Sequence, residues 1–405
     1  MGLFYSFSLV LYAQLIRIAA LFNPKAKAWV LGRKNWRQQL KKVTFQTKNI
    51  HWFHCASLGE FDMAAPLMEA LKREDPSVFI VVTFFSPSGM EHYTKRKHVV
   101  DFAFYLPIDT EKNARDFLHI IQPKSVFLVK YEFWSNYIFE AKKIAIPVFS
   151  ICTLLRADHR FFKWYGAYFR KTLQAIDFFY TQNEKTTHLL TTIGIEKALT
   201  IGDLRFDRVL DTKKNVQNNE RIEAFLAGEK ALIFGSTWPE DEALLTPFIA
   251  ENSNKKIIIA PHSIDEGHLK AIEKTIPCVR YTAEEKNGNN VLLLNTIGHL
   301  SSAYRYGEIA YVGGGFSGKL HNILEPAVFG LPVIFGPKFS RFPEASAFIE
   351  HGIGFSVDNE TQFSATISAI SADLPLISLK TSQFVDANKG AADAIYQDLI
   401  TRFVF

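Results

Sequence analysis

The chain has 405 residues, 48% of them hydrophobic and 21% charged, and a formal net charge of +5. Such a length accommodates two buried cores, and the composition excludes a disordered chain. So small a charge excess, with no basic run interleaved with aromatics, excludes a nucleic-acid partner, and Cys55, Cys152 and Cys278 fall in no metal or disulfide spacing, which favours a reducing, cytoplasmic setting.

Residues 2–22 are almost wholly apolar, Arg17 being the only charge, and Lys25, Lys27, Arg33, Lys34 and Arg37 follow at once. No charge precedes the run and no clear cleavage site ends it, so it does not read as a signal peptide. Its length is marginal for crossing ~30 Å of hydrocarbon. A basic flank suits anionic headgroups, so residues 1–40 are expected to associate with a membrane surface, either spanning it or lying in it. The alternative is a core helix of the first domain.

From residue 50 onward, apolar runs alternate with helical patterns. Strands are expected at Ile50–Cys55, Phe79–Phe84, Ser125–Val129, Val148–Ile151 and Phe178–Thr181, then at Ala231–Gly235, Lys256–Ala260, Val291–Leu294, Ile309–Val312 and Val333–Phe335. Fully apolar strands separated by helices imply parallel sheets covered on both faces. The expected class is therefore α/β, with two Rossmann-like domains at 41–210 and 221–405 joined by a polar linker at 211–220. Ligands of such sheets bind at the carboxyl ends of the strands, so the expected site is a cleft between the domains.

The first strand runs into His54-Cys-Ala-Ser-Leu-Gly-Glu60 and then a helix. Glu60 is thus placed where a carboxylate could take a proton from an attacking hydroxyl. Ser57-x-x-Glu60 is equally a capping box, in which Glu60 only satisfies a backbone N–H. Glu132, in Lys130-Tyr-Glu-Phe-Trp134, stands at another strand end. Arg205, in Gly202-Asp-Leu-Arg-Phe-Asp207, is a candidate anion contact.

In the second half, Gly235-Ser236-Thr237-Trp-Pro-Glu240 leaves a strand for a helix and can donate to a phosphate, with Thr237 also a candidate N-cap. The richest segment is 313–337: three glycines, Lys319, His321, Asn322 and Glu325, then a further strand. Gly314 and Gly315 let a phosphate approach the backbone, and a helix expected to begin near His321 would offer it free N–H groups. Glu325 could grip a pair of ribose hydroxyls. A tight strand-to-helix turn with ordinary caps is the plainer reading of the same residues. No D-x-D pattern or histidine cluster suggests a metal, and no cofactor is expected.

Taken together, these motifs resemble the transferases of 3-deoxy-D-manno-octulosonic acid (Kdo) in lipopolysaccharide synthesis. The resemblance runs from the apolar start through His54–Glu60, Glu132-Phe-Trp, Gln182-Asn-Glu, Gly202–Asp207, Gly235-Ser-Thr and His321-Asn-x-x-Glu325. It implies a GT-B fold and transfer of Kdo from CMP-Kdo to a lipid A precursor at the cytoplasmic face of the inner membrane. It further implies Glu60 as catalytic base, Glu132 as a second essential carboxylate, and Asn322 and Glu325 as ligands of the CMP moiety. Ser236, Thr237, Gly314, Gly315, Lys319 and His321 complete the expected donor site, with Arg205 and His262 as anion contacts. The chain departs from the family where Lys319 replaces an arginine, where Pro261-His262-Ser263 loses two, and where Cys152-Thr-Leu replaces Asn-Ala-Arg. Another GT-B transferase, a nucleotide-sugar epimerase, or a membrane-bound binding protein without turnover are the rival readings.

Overall fold

A computed structural model describes residues 2–45, 49–96, 98–283 and 288–403, and the chain divides into two compact units. The first comprises residues 1–208 together with 390–405, and the second residues 209–389.

The first unit is built on β1 (Asn49–Cys55), β2 (Val78–Phe84), β3 (Phe102–Tyr105), β4 (Ser125–Val129), β5 (Val148–Thr153), β6 (Phe178–Thr181) and β7 (Ala198–Thr200). They form one parallel sheet in the order β3-β2-β1-β4-β5-β6-β7. The second unit holds β8 (Ala231–Thr237), β9 (Lys256–Pro261), β10 (Val279–Arg280), β11 (Val291–Leu293), β12 (Gly307–Val312), β13 (Val333–Phe335) and β14 (Gly354–Ser356). Its parallel sheet has the order β10-β11-β9-β8-β12-β13-β14. The central strands are apolar because helices cover both faces: in β1, Ile50 and Trp52 pack into one cluster while Phe53 and Cys55 pack into the other.

The strand order reverses between β1 and β4 in the first unit and between β8 and β12 in the second. The connections leaving the two strands that flank such a reversal diverge to opposite faces, which opens a crevice at their carboxyl ends. The chain follows β1 with Glu60 and β4 with Lys130 to Glu132; it follows β8 with Trp238 and β12 with the glycine loop.

Two expectations about domain boundaries change. The final helix, Ala391–Arg402, belongs to the first unit, where Ala391, Ala392, Ile395 and Leu399 join Met63, Ala64 and Leu67 in one apolar cluster. Of the polar stretch expected as a linker, residues 211–215 end a helix, Arg205–Asn215, whose last residues Lys213, Lys214 and Asn215 are exposed.

The helix Gly2–Ala19 packs on the first unit through one side only. Ala13 is buried, Tyr5 donates to Asp109 Oδ2 (2.7 Å), and the Tyr12 ring stacks at 6.5 Å from Phe85. Phe4, Phe7, Leu11, Leu15 and Ile18 lie exposed along the other side, and Leu21 and Phe22 continue the patch. No helix among the described residues is long and apolar enough to cross a membrane. The basic flank is also smaller than the sequence suggests. Arg33 is buried, donating to the carbonyls of Leu106, Trp29 and Phe85, and Arg37 pairs with Asp116, leaving Lys25, Lys27 and Lys34 exposed.

Candidate active site

In the first unit, Glu60 lies in the first turn of the helix Leu58–Glu74. Its Oε2 accepts from the Ala56 N–H, one residue before the Ser57 N-cap, and the Ser57 side chain makes no capping bond, so the reciprocal pairing of a capping box is not made. The carboxylate is 8% exposed, and burial raises its pKa against the opposing pull of the Ala56 N–H and Lys130.

Glu132 faces the same charges. Burial first, and the Glu60 charge second, push its pKa up to about 7, while the Trp134 N–H and Lys130 pull it down. Two carboxyls that repel each other beside one ammonium hold less than two negative charges at neutral pH. Lys130 reaches this position with φ +60°, a left-handed conformation that a lysine adopts only at a cost.

A fixed hydrogen-bond chain orients Glu132. The Trp134 indole N–H donates both to Glu132 Oε2 (3.1 Å) and to His54 Nε2 (2.9 Å). His54 therefore carries its proton on Nδ1, which lies 3.1 Å from the Thr83 carbonyl and 2.9 Å from its hydroxyl. The same Thr83 hydroxyl accepts from the Trp52 indole at 2.8 Å. Full burial lowers the His54 pKa to about 3, so it stays neutral. Phe85 stacks on Trp134 at 5.0 Å and fixes the ring from its other side.

The Gly202–Asp207 segment turns out to be internal. Arg205 is paired with Asp203 (2.6 Å), so its charge is already met, contrary to the expected free anion contact. Asp207 accepts from the Gly390 and Ala392 N–H groups (2.6 and 2.8 Å) and caps the returning C-terminal helix.

In the second unit the glycines serve the chain itself. Gly314 has φ +88°, and a Cβ there would overlap the Lys319 carbonyl; a Cβ on Gly315 would overlap the Gly336 backbone. The Gly314 N–H is taken by Asp241 Oδ2 (2.9 Å), which also accepts from the Trp238 N–H, while Asp241 Oδ1 accepts from the Tyr311 hydroxyl (2.6 Å). One buried carboxylate thus ties the turn after β8 to the loop after β12.

The helix expected from His321 begins only at Leu324 and ends at Ala327. Pro326 is the reason: it has no N–H for an intrahelical bond and its ring excludes a preceding helical turn, so it is tolerated only in the first turn. No long helix dipole stands behind this loop. Asn322 Oδ1 accepts from the Leu324 N–H, its amide donates to Glu325 Oε1 (3.2 Å), and Ser301 donates to Glu325 Oε2 (3.2 Å). Asn322 and Glu325 are therefore brought together, as a hydrogen-bonded pair.

Thr237 departs from expectation. It is fully buried and its hydroxyl donates to Glu242 Oε1 (2.9 Å), which leaves no hydroxyl proton for a phosphate, and the N-cap is Trp238 instead. Ser236 is half-buried with φ +54°, at a register shift between β8 and β9. Lys319 and His262 are exposed and His321 is half-buried. Their common neighbour is Trp238, which the sequence did not single out. His262 stacks on it (4.5 Å, 14°), His321 Nε2 accepts its indole N–H (3.2 Å), and the Lys319 ammonium lies 5.1 Å from its ring. Trp134, His54 and Lys130 are the corresponding omissions in the first unit. The signal for all four was their place within two residues of a strand end or a candidate residue.

Comparison with known proteins places this geometry in context. Residues 34–208 match the family model of the 3-deoxy-D-manno-octulosonic-acid transferases. The chain is 27% identical to the 3-deoxy-D-manno-octulosonic acid transferase of Aquifex aeolicus, over 88% of this chain and 94% of that one. Among solved structures, UDP-GlcNAc 2-epimerase from Methanocaldococcus jannaschii covers 80% of the chain at a TM-score of 0.57 and 16% identity, with 92% of its own length matched. Acinetobacter baumannii MurG covers 88% at a TM-score of 0.55 and 11% identity, with its whole length matched. These likenesses show the fold, the two-unit GT-B architecture. In sequence the chain is similar to a Kdo transferase over most of its length.

Proposed function

We propose that this chain, a glycosyltransferase by its kinship with the Kdo transferases, moves Kdo from CMP-Kdo to a lipid A precursor with inversion at the anomeric carbon. The observation that carries the reading is the carboxyl pair at the strand reversal of the first sheet: Glu60 and Glu132 repel each other beside Lys130, and Glu132 is pushed up to about 7. A base works best with a pKa near the operating pH, and a pair sharing its charge keeps a site ready to accept a proton. Glu60 takes the proton of a sugar hydroxyl of the acceptor. The freed oxygen attacks the anomeric carbon, and CMP leaves with the bonding electron pair.

The second unit holds the donor. Asn322 and Glu325 meet the ribose, and Lys319, His321 and Ser236 meet the anionic groups, with His262 beside them. Preorganised donors aimed at the departing phosphate stabilise the charge that gathers there. Thr237 and Arg205 contribute to the shape of their loops rather than to ligand contacts.

An amphiphilic acceptor accounts for the apolar side of the helix Gly2–Ala19. With Lys25, Lys27 and Lys34 beside it, this helix lies in the interface at the cytoplasmic face of the inner membrane, its apolar side toward the acyl chains.

The test is release of CMP from CMP-Kdo by purified protein in detergent, with and without a lipid A precursor. Release that depends on the lipid supports the reading. Interconversion of a nucleotide sugar without release of the nucleotide would favour an epimerase, and CMP binding without turnover a binding protein.

A further inference from the structure

Trp238 sits where three groups capable of positive charge meet, and it does something different to each. Its ring lies flat against His262 and within 5.1 Å of the Lys319 ammonium, and its N–H donates to His321 Nε2. The ring is itself anchored. Trp238 is the N-cap of the helix Pro239–Glu251, and its backbone N–H is held by Asp241, which also holds the Gly314 N–H and the Tyr311 hydroxyl.

A neutral imidazole has one proton and two nitrogens, and the partner of one nitrogen decides the role of the other. His321 is neutral at physiological pH, because burial and the nearby His262 lower its pKa to about 4. An acceptor at Nε2 leaves the proton on Nδ1, and Nδ1 finds no partner among the described residues. The backbone of His321 is fixed as well, its N–H donating to the Gly313 carbonyl at 3.2 Å.

We propose that Trp238 is a positioning residue for the donor: its indole N–H locks His321 in the tautomer that offers Nδ1–H to an anionic oxygen of the bound nucleotide sugar. The proposal rests on the reading that the second unit binds CMP-Kdo. Without the indole N–H, both tautomers become accessible, and the one protonated on Nε2 turns a lone pair toward the oxygen that it should bind. The flat contact with His262 and the ring beneath Lys319 keep the neighbouring donors in register with this one.

The experiment uses the full-length chain labelled with 15N at histidine, with His321→Gln to identify the His321 signals. The wild type should show a protonated Nδ1 and an unprotonated Nε2 at His321. Trp238→Phe keeps a ring in place but lacks the N–H; it should shift His321 toward the other tautomer at an unchanged melting temperature. Its affinity for CMP should fall about tenfold, the worth of one hydrogen bond to a charged group. An Nε2-protonated His321 in the wild type, or the same tautomer in both proteins, overturns the proposal. So does a tautomer change that leaves CMP affinity unaltered. If the folded wild type does not bind CMP while showing the expected tautomer, the donor reading itself fails, and the role given to Trp238 fails with it.

Discussion

Glu132 is a carboxyl whose surroundings oppose its ionisation. Its pKa of about 7 exceeds its ordinary value of 4.5, so between these two pH values the folded chain holds a proton that the unfolded chain releases. Stability contributed by the neutral form is present below pH 4.5 and lost as pH rises through 7. Glu132→Gln removes that cost while its amide oxygen still accepts from Trp134. The variant should melt above the wild type at pH 8, by at most about 3 kcal/mol of stability, and with it at pH 4; equal melting curves at both pH values would refute the assignment. Trp134→Phe acts in the other direction. The indole N–H favours the ionised carboxylate, so its loss raises the Glu132 pKa and should move the acid limb of the kcat/KM profile to higher pH. A limb that stays in place would mean that Glu132 does not govern it. Glu60 and Glu132 were legible in the sequence because a carboxylate just past an apolar strand is visible in one dimension. Trp134 and Trp238 were not, because their partners, His54 and His321, stand 80 and 83 positions away.

At the level of elements, the strands missed from the sequence are β3, β7, β10 and β14, and these are the four edges of the two sheets. An edge strand pairs on one side and is less fully covered, so its apolar run is short; β10 has two residues and β7 is half-buried throughout. The central strands, covered on both faces, were read nearly to the residue. The short helix at Leu324 was misjudged for a different reason: the apolar pattern from His321 onward is helical, and Pro326 overrides it. The last helix was assigned to the wrong unit because its amphipathic pattern does not name its partner. That partner is the helix bearing Glu60. Asp207→Ala removes the carboxylate that caps the returning helix and should cost about 1 to 2 kcal/mol, with faster proteolysis between residues 389 and 403. Unchanged protection of that segment would show that apolar packing alone holds it.

At the level of the whole molecule, the repeated design is plain from the alternation of apolar strands and helices, and the apolar N-terminal helix from its composition. Which of its sides stays free is not plain from the sequence, because Tyr5, Tyr12 and Ala13 stand in the same nearly unbroken apolar run as Phe7 and Leu11. The structure separates them, and also withdraws Arg33 and Arg37 from the basic flank. A triple substitution of Phe7, Leu11 and Ile18 by Asp should weaken binding to anionic vesicles by on the order of tenfold or more. It should leave CMP affinity intact. Vesicle binding equal to that of the wild type would remove this helix from the membrane.

If the carboxyl pair of the first unit does the proton chemistry, turnover by Glu60→Gln reads it out. With CMP-Kdo and a lipid A precursor in detergent, kcat should fall by about 10²- to 10⁴-fold, the range of a lost general base, while CMP affinity and melting temperature remain near wild type. A Glu60→Gln enzyme that turns over at close to the wild-type rate would contradict the account and reduce Glu60 to the acceptor of the Ala56 N–H.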